Sequence, residues 1–170
     1  MRSLALAILG AAVAACGTRD HATTDSAAGA AATPPPATGA SAAANGSMAM
    51  LDVGKLPGGG EYLTDAQGRA VYVFEKDKKD SSTCVGDCAA AWPPLISSGA
   101  PMAHSSAIEA AKLGTIARPD GSRQATYDGK PLYYFARDQA PGDIKGQDVK
   151  GFGGEWYLVK PSGEKQESKK

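Results

Sequence analysis

Two cysteines of this chain are close enough in sequence to take part in thiol–disulfide chemistry. Cys84 and Cys88 stand in a Cys-x-x-x-Cys arrangement. Outside the cytoplasm such a pair usually oxidises to a disulfide, and closing so short a loop contributes about 2 kcal/mol in the chain-entropy model. A redox-active pair is the alternative. We prefer the structural disulfide, because the spacing is not Cys-x-x-Cys and Asp87 would raise a neighbouring thiol pKa.

A second candidate is a Tyr-x-Phe-x-x-Asp motif that occurs twice. Its residues are Tyr72, Phe74 and Asp77 in the first copy, and Tyr133, Phe135 and Asp138 in the second. In a strand, residues two apart share a face, so each aromatic pair is expected to point one way. The simplest interpretation is a pair of core anchors, with each aspartate accepting backbone N–H bonds where a loop begins. The alternative is two aromatic–carboxylate sites for a ligand or cation, which pseudo-symmetry could bring into one cleft.

The motif belongs to a longer internal repeat, and repeats set architecture. Turn-forming Asp and Gly precede each copy, and each copy runs through a polar loop to a tryptophan, Trp92 or Trp156. We place repeat 1 at about residues 60–97 and repeat 2 at about residues 113–160.

Local patterns predict mainly strands. Residues rich in Val and aromatics, bounded by turn chemistry, indicate strands, and short capped segments indicate helices. The predicted strands are 70–74, 113–118, 123–127, 132–135 and 155–160, and the predicted helices are 87–91 and 106–112. The fold class is therefore mainly β: a small antiparallel β-rich domain of two tandem pseudo-symmetric repeats with one or two short helices.

The third cysteine, Cys16, ends a sequence typical of an export signal. Arg2 supplies a positive start, and residues 4–13 form an apolar stretch shorter than the roughly 20 residues that span a bilayer. We predict a cleaved signal peptide over residues 1–15. Val13-Ala14-Ala15-Cys16 resembles the lipobox of bacterial lipoproteins. That resemblance implies a diacylglyceryl thioether and a palmitate-type N-acyl group on Cys16, and several acyl chains anchor a protein stably to a membrane.

The predicted location is the cell envelope. Gly17 rather than Asp follows Cys16, and this resembles sorting to the outer membrane, facing the periplasm, in a Gram-negative host.

Residues 16–50 contain Ala, Thr, Ser, Gly and Pro without aromatics and are predicted to form a disordered tether. The domain is placed at residues 51–160. The polar tail over residues 161–170 is expected to be frayed.

The charge balance excludes one class of partner. The chain carries 18 basic and 18 acidic side chains. A neutral balance without a basic run gives no footprint for nucleic acid. The predicted partners are a membrane, through the lipid anchor, and an envelope protein of unknown identity.

These residues together resemble a known family, the bacterial secreted-repeat lipoproteins with a Tyr-x-aromatic-x-x-Asp motif. The resemblance extends from about Tyr62 to Val159, and its strongest stretches are residues 72–77, 84–95, 127–135, 142–147 and 153–157. It implies an address outside the cytoplasm and a repeat architecture. It implies no established biochemical activity.

Metal, cofactor and catalytic sites are not predicted. His104 is the only histidine of the predicted domain, whereas a structural zinc site needs four ligands. Met48 and Met50 could ligate Cu(I) weakly, but with Met102 they are too sparse along the sequence to predict a copper site, and we interpret them as linker and loop residues. His104-Ser105-Ser106 is interpreted as a helix start, because sequence neighbours rarely form a nucleophile–base pair.

Two functions are consistent with these residues. The first hypothesis is a membrane-anchored, non-enzymatic lipoprotein with a binding or interaction role and no cofactor. The alternative is a redox or electron-transfer accessory lipoprotein that uses Cys84 and Cys88 or its clustered aromatic residues.

Overall fold

The computed structural model describes residues 47–168. The predicted signal peptide, the lipidation site Cys16 and most of the predicted tether lie outside these residues. No helix in the described part of the chain is long and apolar enough to cross a membrane.

Nine short strands carry the fold. They are β1 (Met50–Lys55), β2 (Glu61–Asp65), β3 (Tyr72–Phe74), β4 (Met102–Ala103), β5 (Leu113–Ala117), β6 (Arg123–Tyr127), β7 (Lys130–Pro131), β8 (Val149–Gly151) and β9 (Gly154–Leu158). One α-helix, α1, covers Asp87–Ala91 as predicted, and a single 3₁₀ turn covers Ala110–Lys112.

The strands form three small sheets with the orders β2-β1-β4, β3-β9-β8 and β5-β6-β7. Every pair is antiparallel except β1 with β4. The predicted fold class, mainly β with antiparallel pairing in two repeats, is confirmed. The predicted hairpin of residues 113–118 and 123–127 is also present as β5 and β6, closed by a turn in which the Gly121 N–H donates to the Arg118 carbonyl.

The two repeats meet at their tyrosines. The Tyr72 N–H donates to the Tyr133 carbonyl at 2.8 Å, and the Tyr133 N–H donates to the Tyr72 carbonyl at 3.0 Å. Equivalent residues of the two copies are thus directly opposed in one antiparallel bridge. Around this bridge the side chains of the two motifs are brought together.

Two clusters of buried residues make up the core. One is aliphatic and lies against β1, β2 and β6, with Leu51, Leu63 and Leu132 fully buried. The other is aromatic and contains Tyr72, Tyr133, Trp92, Trp156 and both described cysteines. The motif residues therefore belong largely to the second cluster.

The helix predicted over 106–112 is wrong except for its last turn. The Ser105 hydroxyl accepts the Ala107 N–H, as a cap would, but Glu109 has extended backbone angles. Its N–H donates to the Tyr127 hydroxyl at 3.1 Å instead of to a carbonyl of a preceding turn. A side chain from a distant strand therefore ends the helical path.

The strand predicted over 132–135 is also shorter in the structure. Only Lys130–Pro131 and a bridge at Tyr133 pair. The Leu132 N–H donates to Ala125, the Tyr133 N–H to Tyr72 and the Tyr134 N–H to Pro93. Because successive residues bond to different neighbours, the segment crosses between sheets rather than extending one.

Both ends of the domain are more ordered than predicted. The tether was expected to run to residue 50, yet Ala49 is buried and its N–H donates to the Ser97 hydroxyl at 2.8 Å. The tail was expected to be frayed from residue 161, yet the Gln166 N–H donates to the Leu158 carbonyl at 2.7 Å. The Pro161 carbonyl also accepts the Tyr127 hydroxyl. The polar composition of these two segments did not indicate that they form hydrogen bonds with the domain.

Candidate functional site

The tyrosine of each motif is hydrogen-bonded to the aspartate of the other copy. The Tyr72 hydroxyl donates to Asp138 Oδ2 at 2.6 Å, and the Tyr133 hydroxyl donates to Asp77 Oδ2 at 2.5 Å. The structure thus brings the two copies of the motif into one reciprocal arrangement. The sequence raised a meeting of the copies only as part of the ligand-site alternative and did not predict these bonds between them.

The second carboxylate oxygen of each aspartate holds the loop of its own repeat. Asp77 Oδ1 accepts the Thr83 N–H at 2.6 Å and the Thr83 hydroxyl at 2.7 Å. Asp138 Oδ1 accepts the Lys145 N–H at 2.9 Å. These are the loop bonds expected from sequence, and each aspartate therefore joins its own loop to the opposite repeat.

Burial and the carboxylates keep both tyrosines protonated. Burial raises the pKa of Tyr72, and its bond to Asp138 raises it further. Burial likewise raises the pKa of Tyr133, with Asp77 as the next cause. Since a phenol that donates to a carboxylate loses that bond on ionising, the raised pKa values keep the two hydroxyls as donors at neutral pH.

Four aromatic rings stack through the centre of the same cluster. Phe74 stacks on Trp156 with ring centroids 4.3 Å apart, Trp156 on Trp92 at 3.9 Å, and Trp92 on Phe135 at 4.2 Å. The rings come alternately from repeat 1 and repeat 2. Tyr72 packs edge-on against Trp92. The repeats are therefore interdigitated, and no two neighbouring rings of the stack come from the same copy.

Gly146 shows how tightly this cluster is packed. A Cβ at this position would stand 2.8 Å from the Tyr72 ring and 2.9 Å from the Trp92 ring. Real Cβ contacts are longer than this, so only glycine lets the loop backbone approach. Its N–H also donates to the Tyr72 hydroxyl at 3.3 Å.

The cysteine pair forms the predicted disulfide. Cys84 is fully buried and Cys88 is 6% exposed. Thiol–disulfide exchange requires a thiolate to reach a sulfur atom. In this structure the core itself limits that access.

Arg118 is a buried cation that sequence reasoning missed. Its Nη1 donates to Gln124 Oε1 at 2.6 Å and to Ser82 Oγ at 3.2 Å, and its Nη2 donates to the Cys84 carbonyl at 2.9 Å. Ser82 in turn contacts the Tyr133 hydroxyl at 2.6 Å. Arg118 thereby ties the β5–β6 hairpin to the disulfide loop. No local signal reveals this, because the arginine simply flanks a turn in the sequence.

The β8–β9 hairpin presents an exposed aromatic side chain. Phe152 is 49% exposed and has a φ of 53°, and Gly153 follows with a φ of 81°. Gly151 pairs with Gly154, so the loop has two residues. Two positive φ values define a type I′ turn, in which Asn or Gly is favoured and a bulky residue is an outlier.

Phe152 borders a surface concavity of about 530 Å³. The other lining residues are Phe74, Lys76, Thr83 and Cys88. The concavity combines an apolar wall with one ammonium group. Its floor includes the outer edge of the aromatic cluster.

His104 lies between the two motif copies in the sequence and bonds to none of their residues. Its Nδ1 lies 2.9 Å from Asp52 Oδ2 at the edge of the β2-β1-β4 sheet. Within residues 47–168 there is no group of three or more His, Cys, Asp or Glu side chains that could hold a metal ion.

The fold and the doubled motif define a secreted repeat protein. The chain belongs to the family described as a secreted repeat of unknown function, whose model matches residues 57–96 and 114–160. These two matches correspond to the two interdigitated copies. No curated protein and no solved structure matches the chain.

Proposed function

We propose that this protein is a lipid-anchored lipoprotein of the cell envelope whose repeat domain binds a partner and performs no catalysis. The lipobox-like residues that end at Cys16 support the anchor. The description of the family as secreted supports an address outside the cytoplasm.

One observation carries the proposed non-catalytic role of the motifs: the polar groups of both copies are already bonded to each other. Asp77 and Asp138 each bond a tyrosine of the opposite copy and a loop of their own. Carboxylates engaged in this way are not free to act as general bases toward a substrate, which requires a base within hydrogen-bond reach of the proton it takes. The motif therefore serves as a rigid scaffold.

The proposed binding face is the exposed hairpin tip at Phe152 with its adjoining concavity. Backbone strain concentrates at functional sites, where it persists because the surroundings enforce it. A phenylalanine at the first loop position of a type I′ turn fits that pattern. Lys76 lies beside the same turn, since a Cβ at Gly153 would stand 2.8 Å from its Nζ. The face suits a partner that offers an apolar group next to an acidic one.

The membrane anchor is tested by fractionation. Cys16→Ser removes the only atom that can carry the thioether lipid, so the variant is expected in the soluble envelope fraction, while the parent protein stays with membranes. The control is Cys84→Ser/Cys88→Ser, which removes the other two cysteines and should leave the protein on the membrane. Incorporation of labelled palmitate is measured in parallel, and equal incorporation into Cys16→Ser and the parent would exclude lipidation at Cys16.

The binding face is tested by cross-linking in the native cells. A photo-reactive benzoylphenylalanine at position 152 is expected to give a discrete adduct with an envelope protein. The same group at position 123, on the exposed end of β6, serves as control. The proposed face would be wrong if the two positions gave the same adducts, or if position 152 gave none.

A redox accessory role is the second candidate, and the four-ring stack beside the disulfide favours it. Closely stacked tryptophans are the side chains suited to pass an electron, and Cys84 lies in the same cluster. The discriminating measurement is the reduction potential of the Cys84–Cys88 pair. A value below about −300 mV with a lower melting temperature after reduction marks a structural disulfide. A value of about −120 to −200 mV with an unchanged fold would favour the redox role.

A further inference from the structure

All three methionines of the described residues are exposed. Met48 is 54%, Met50 is 37% and Met102 is 47% exposed. Methionine is ordinarily among the most buried residue types. Three exposed thioethers in one small domain therefore call for an explanation other than core packing.

Strand pairing brings two of these methionines side by side. Met50 on β1 is the register partner of Met102 on β4. The alternate residues of β1 face inward, since Leu51 is fully buried and Ala49 is nearly so. Because neighbouring strands lie about 4.8 Å apart, side chains opposite each other on one face are in contact range.

The next pair along the same two strands confirms this geometry. Asp52 and His104 each stand two residues beyond Met50 and Met102, on the same face. Their side chains meet, with Asp52 Oδ2 2.9 Å from His104 Nδ1. The side chains of Asp52 and His104 therefore touch across the outer face of β1 and β4, and Met50 and Met102 occupy the preceding pair of positions on that face.

Met48 completes a row of exposed methionines with Met50 and Met102, at the end away from His104. It stands two residues before Met50, so it is expected on the same face. Its Cγ and Sδ lie 3.6 and 3.7 Å from the position that a Cβ of Gly99 would occupy. Its side chain thus lies over the loop that leads into β4, and the thioether row follows the junction of the two strands.

His104 is oriented like a metal ligand. Ligating histidines usually donate one ring N–H to a carboxylate, which fixes the ring and directs the other nitrogen at the metal. Asp52 plays this part at Nδ1, and no residue of 47–168 bonds Nε2. The imidazole is also exposed, at 63% of its side-chain surface.

We propose that the outer face of β1 and β4 is a Cu(I) site, formed by the thioethers of Met48, Met50 and Met102 with the Nε2 of His104. Soft thioether ligands select Cu(I) over Zn²⁺ and other borderline or hard cations, and imidazole also suits copper. The flexible methionine side chain adapts to the coordination geometry. The described cysteines do not compete, because they are joined in a disulfide.

This site is independent of the binding face at Phe152, which lies on a different sheet. Along the sequence its residues fall into two groups on either side of the first repeat. Only the parallel pairing of β1 with β4 brings them together.

The affinity test uses the purified Cys16→Ser chain, in which no free thiolate competes for the metal. Cu(I) is kept reduced with ascorbate and titrated against the chromogenic chelator bicinchoninate. Each chain is expected to bind one Cu(I) in competition with the chelator. Met50→Leu/Met102→Leu should weaken binding at least about ten-fold, and Asp52→Asn, which releases the His104 ring, about ten- to hundred-fold.

The matched control is Val85→Leu, which changes a similarly exposed apolar residue (52%) outside both this site and the proposed binding face and should leave the affinity unchanged. Leucine is close to methionine in volume, so the variants should retain their fold, and circular dichroism checks this. Equal Cu(I) affinities for the parent, Met50→Leu/Met102→Leu and Val85→Leu would overturn the proposal.

A second measurement locates the metal without redox chemistry. Ag(I), a soft monovalent mimic, is added to the chain carrying ¹³C-methyl methionine. The methyl signals of Met48, Met50 and Met102 should shift together and saturate at one equivalent. Shifts confined to a single methionine, or shifts without saturation, would mean that no common site exists.

Discussion

At the scale of single residues, the hydroxyls of Tyr72 and Tyr133 determine how the motif works. Each donates to an aspartate that also holds a loop of its own repeat. Removing a hydroxyl would leave a carboxylate oxygen facing the core without its donor, which costs more than the bond itself contributes. The motif is therefore best understood as a pair of crossed links between repeats.

These tyrosines predict loss of stability in alkali. The folded-state pKa of each lies above the unfolded value of about 10. Their contribution is therefore complete below pH about 10 and is lost as the pH rises toward the folded value. Tyr72→Phe/Tyr133→Phe should reduce the slope of unfolding free energy against pH above 10 by about 1.4 kcal/mol per pH unit for each tyrosine.

Urea unfolding at a series of alkaline pH values measures this slope. Tyr62→Phe is the control for stability at neutral pH only, because Tyr62 is buried in the same cluster but its hydroxyl donates no hydrogen bond within residues 47–168, while burial raises the pKa of Tyr62 as well. It should leave the stability at neutral pH closer to that of the parent than the double variant does. A double variant with the parental slope would contradict the protonated, carboxylate-bonded state of the two tyrosines.

Phe152 predicts a conflict between stability and binding. A bulky residue in the left-handed region costs about 1–2 kcal/mol, and asparagine is favoured at this turn position. Phe152→Asn should therefore raise the unfolding free energy by about 1 kcal/mol and abolish partner binding.

Phe152→Ala separates the two effects. It removes the ring but keeps an L side chain with a Cβ at a positive φ, so it should lose binding without gaining stability. Thermal melting measures the stability of each variant, and cross-linking from a photo-reactive residue at a neighbouring position measures partner binding. If Phe152→Asn were no more stable than Phe152→Ala, the strain at this turn would be disproved.

At the scale of elements, Arg118 joins the β5–β6 hairpin to the disulfide loop through the N–H donors of its guanidinium group. A lysine offers one compact ammonium and cannot reach Gln124, Ser82 and the Cys84 carbonyl together. Arg118→Lys should lower the unfolding free energy by about 2–3 kcal/mol, because it leaves buried acceptors unpaired.

Chemical denaturation measures the Arg118→Lys effect. Arg123→Lys on the same hairpin is the control, since Arg123 is exposed and its side chain bonds only the Thr115 hydroxyl within the described residues. A surface change of this kind should alter stability by at most about 0.5 kcal/mol. Equal losses for the two variants would show that the Arg118 network is not specific.

The elements also show where sequence patterns suffice. Helix α1 and the β5–β6 hairpin were predicted because their signals are local, a polar start before an alanine run and a Pro-Asp-Gly turn. The helix over 106–112 failed because the Tyr127 hydroxyl takes the Glu109 N–H. Strand β4 was missed because two residues carry no periodicity, and only pairing with β1 defines them.

At the scale of the whole molecule, the two repeats are interlocked rather than stacked side by side. The ring order Phe74, Trp156, Trp92, Phe135 alternates between copies. Strand β3 of the first repeat also pairs with β9 of the second. Neither copy can bury its aromatic residues alone, which is the general reason that repeat units need their neighbours.

Interlocking predicts that each repeat is unfolded when it is separated. Fragments 47–112 and 113–168, produced singly, should lack the near-ultraviolet dichroism of packed tryptophans, whereas the intact chain should unfold in one cooperative transition. Mixing the fragments should restore part of the signal. A folded isolated fragment would show that the reciprocal bonds are dispensable.

The sequence by itself determined the class of fold, the repeat, the disulfide pair and the family, because all of these reside in local patterns and spacings. It also predicts the lipid anchor at Cys16, which lies outside the described residues. Only the tertiary structure decided how the copies combine. The crossed Tyr–Asp bonds, the buried Arg118 and the row of Met48, Met50 and Met102 join residues that are distant in the chain. Contacts of this kind depend on which strands pair, and a single sequence carries no local signal of that pairing.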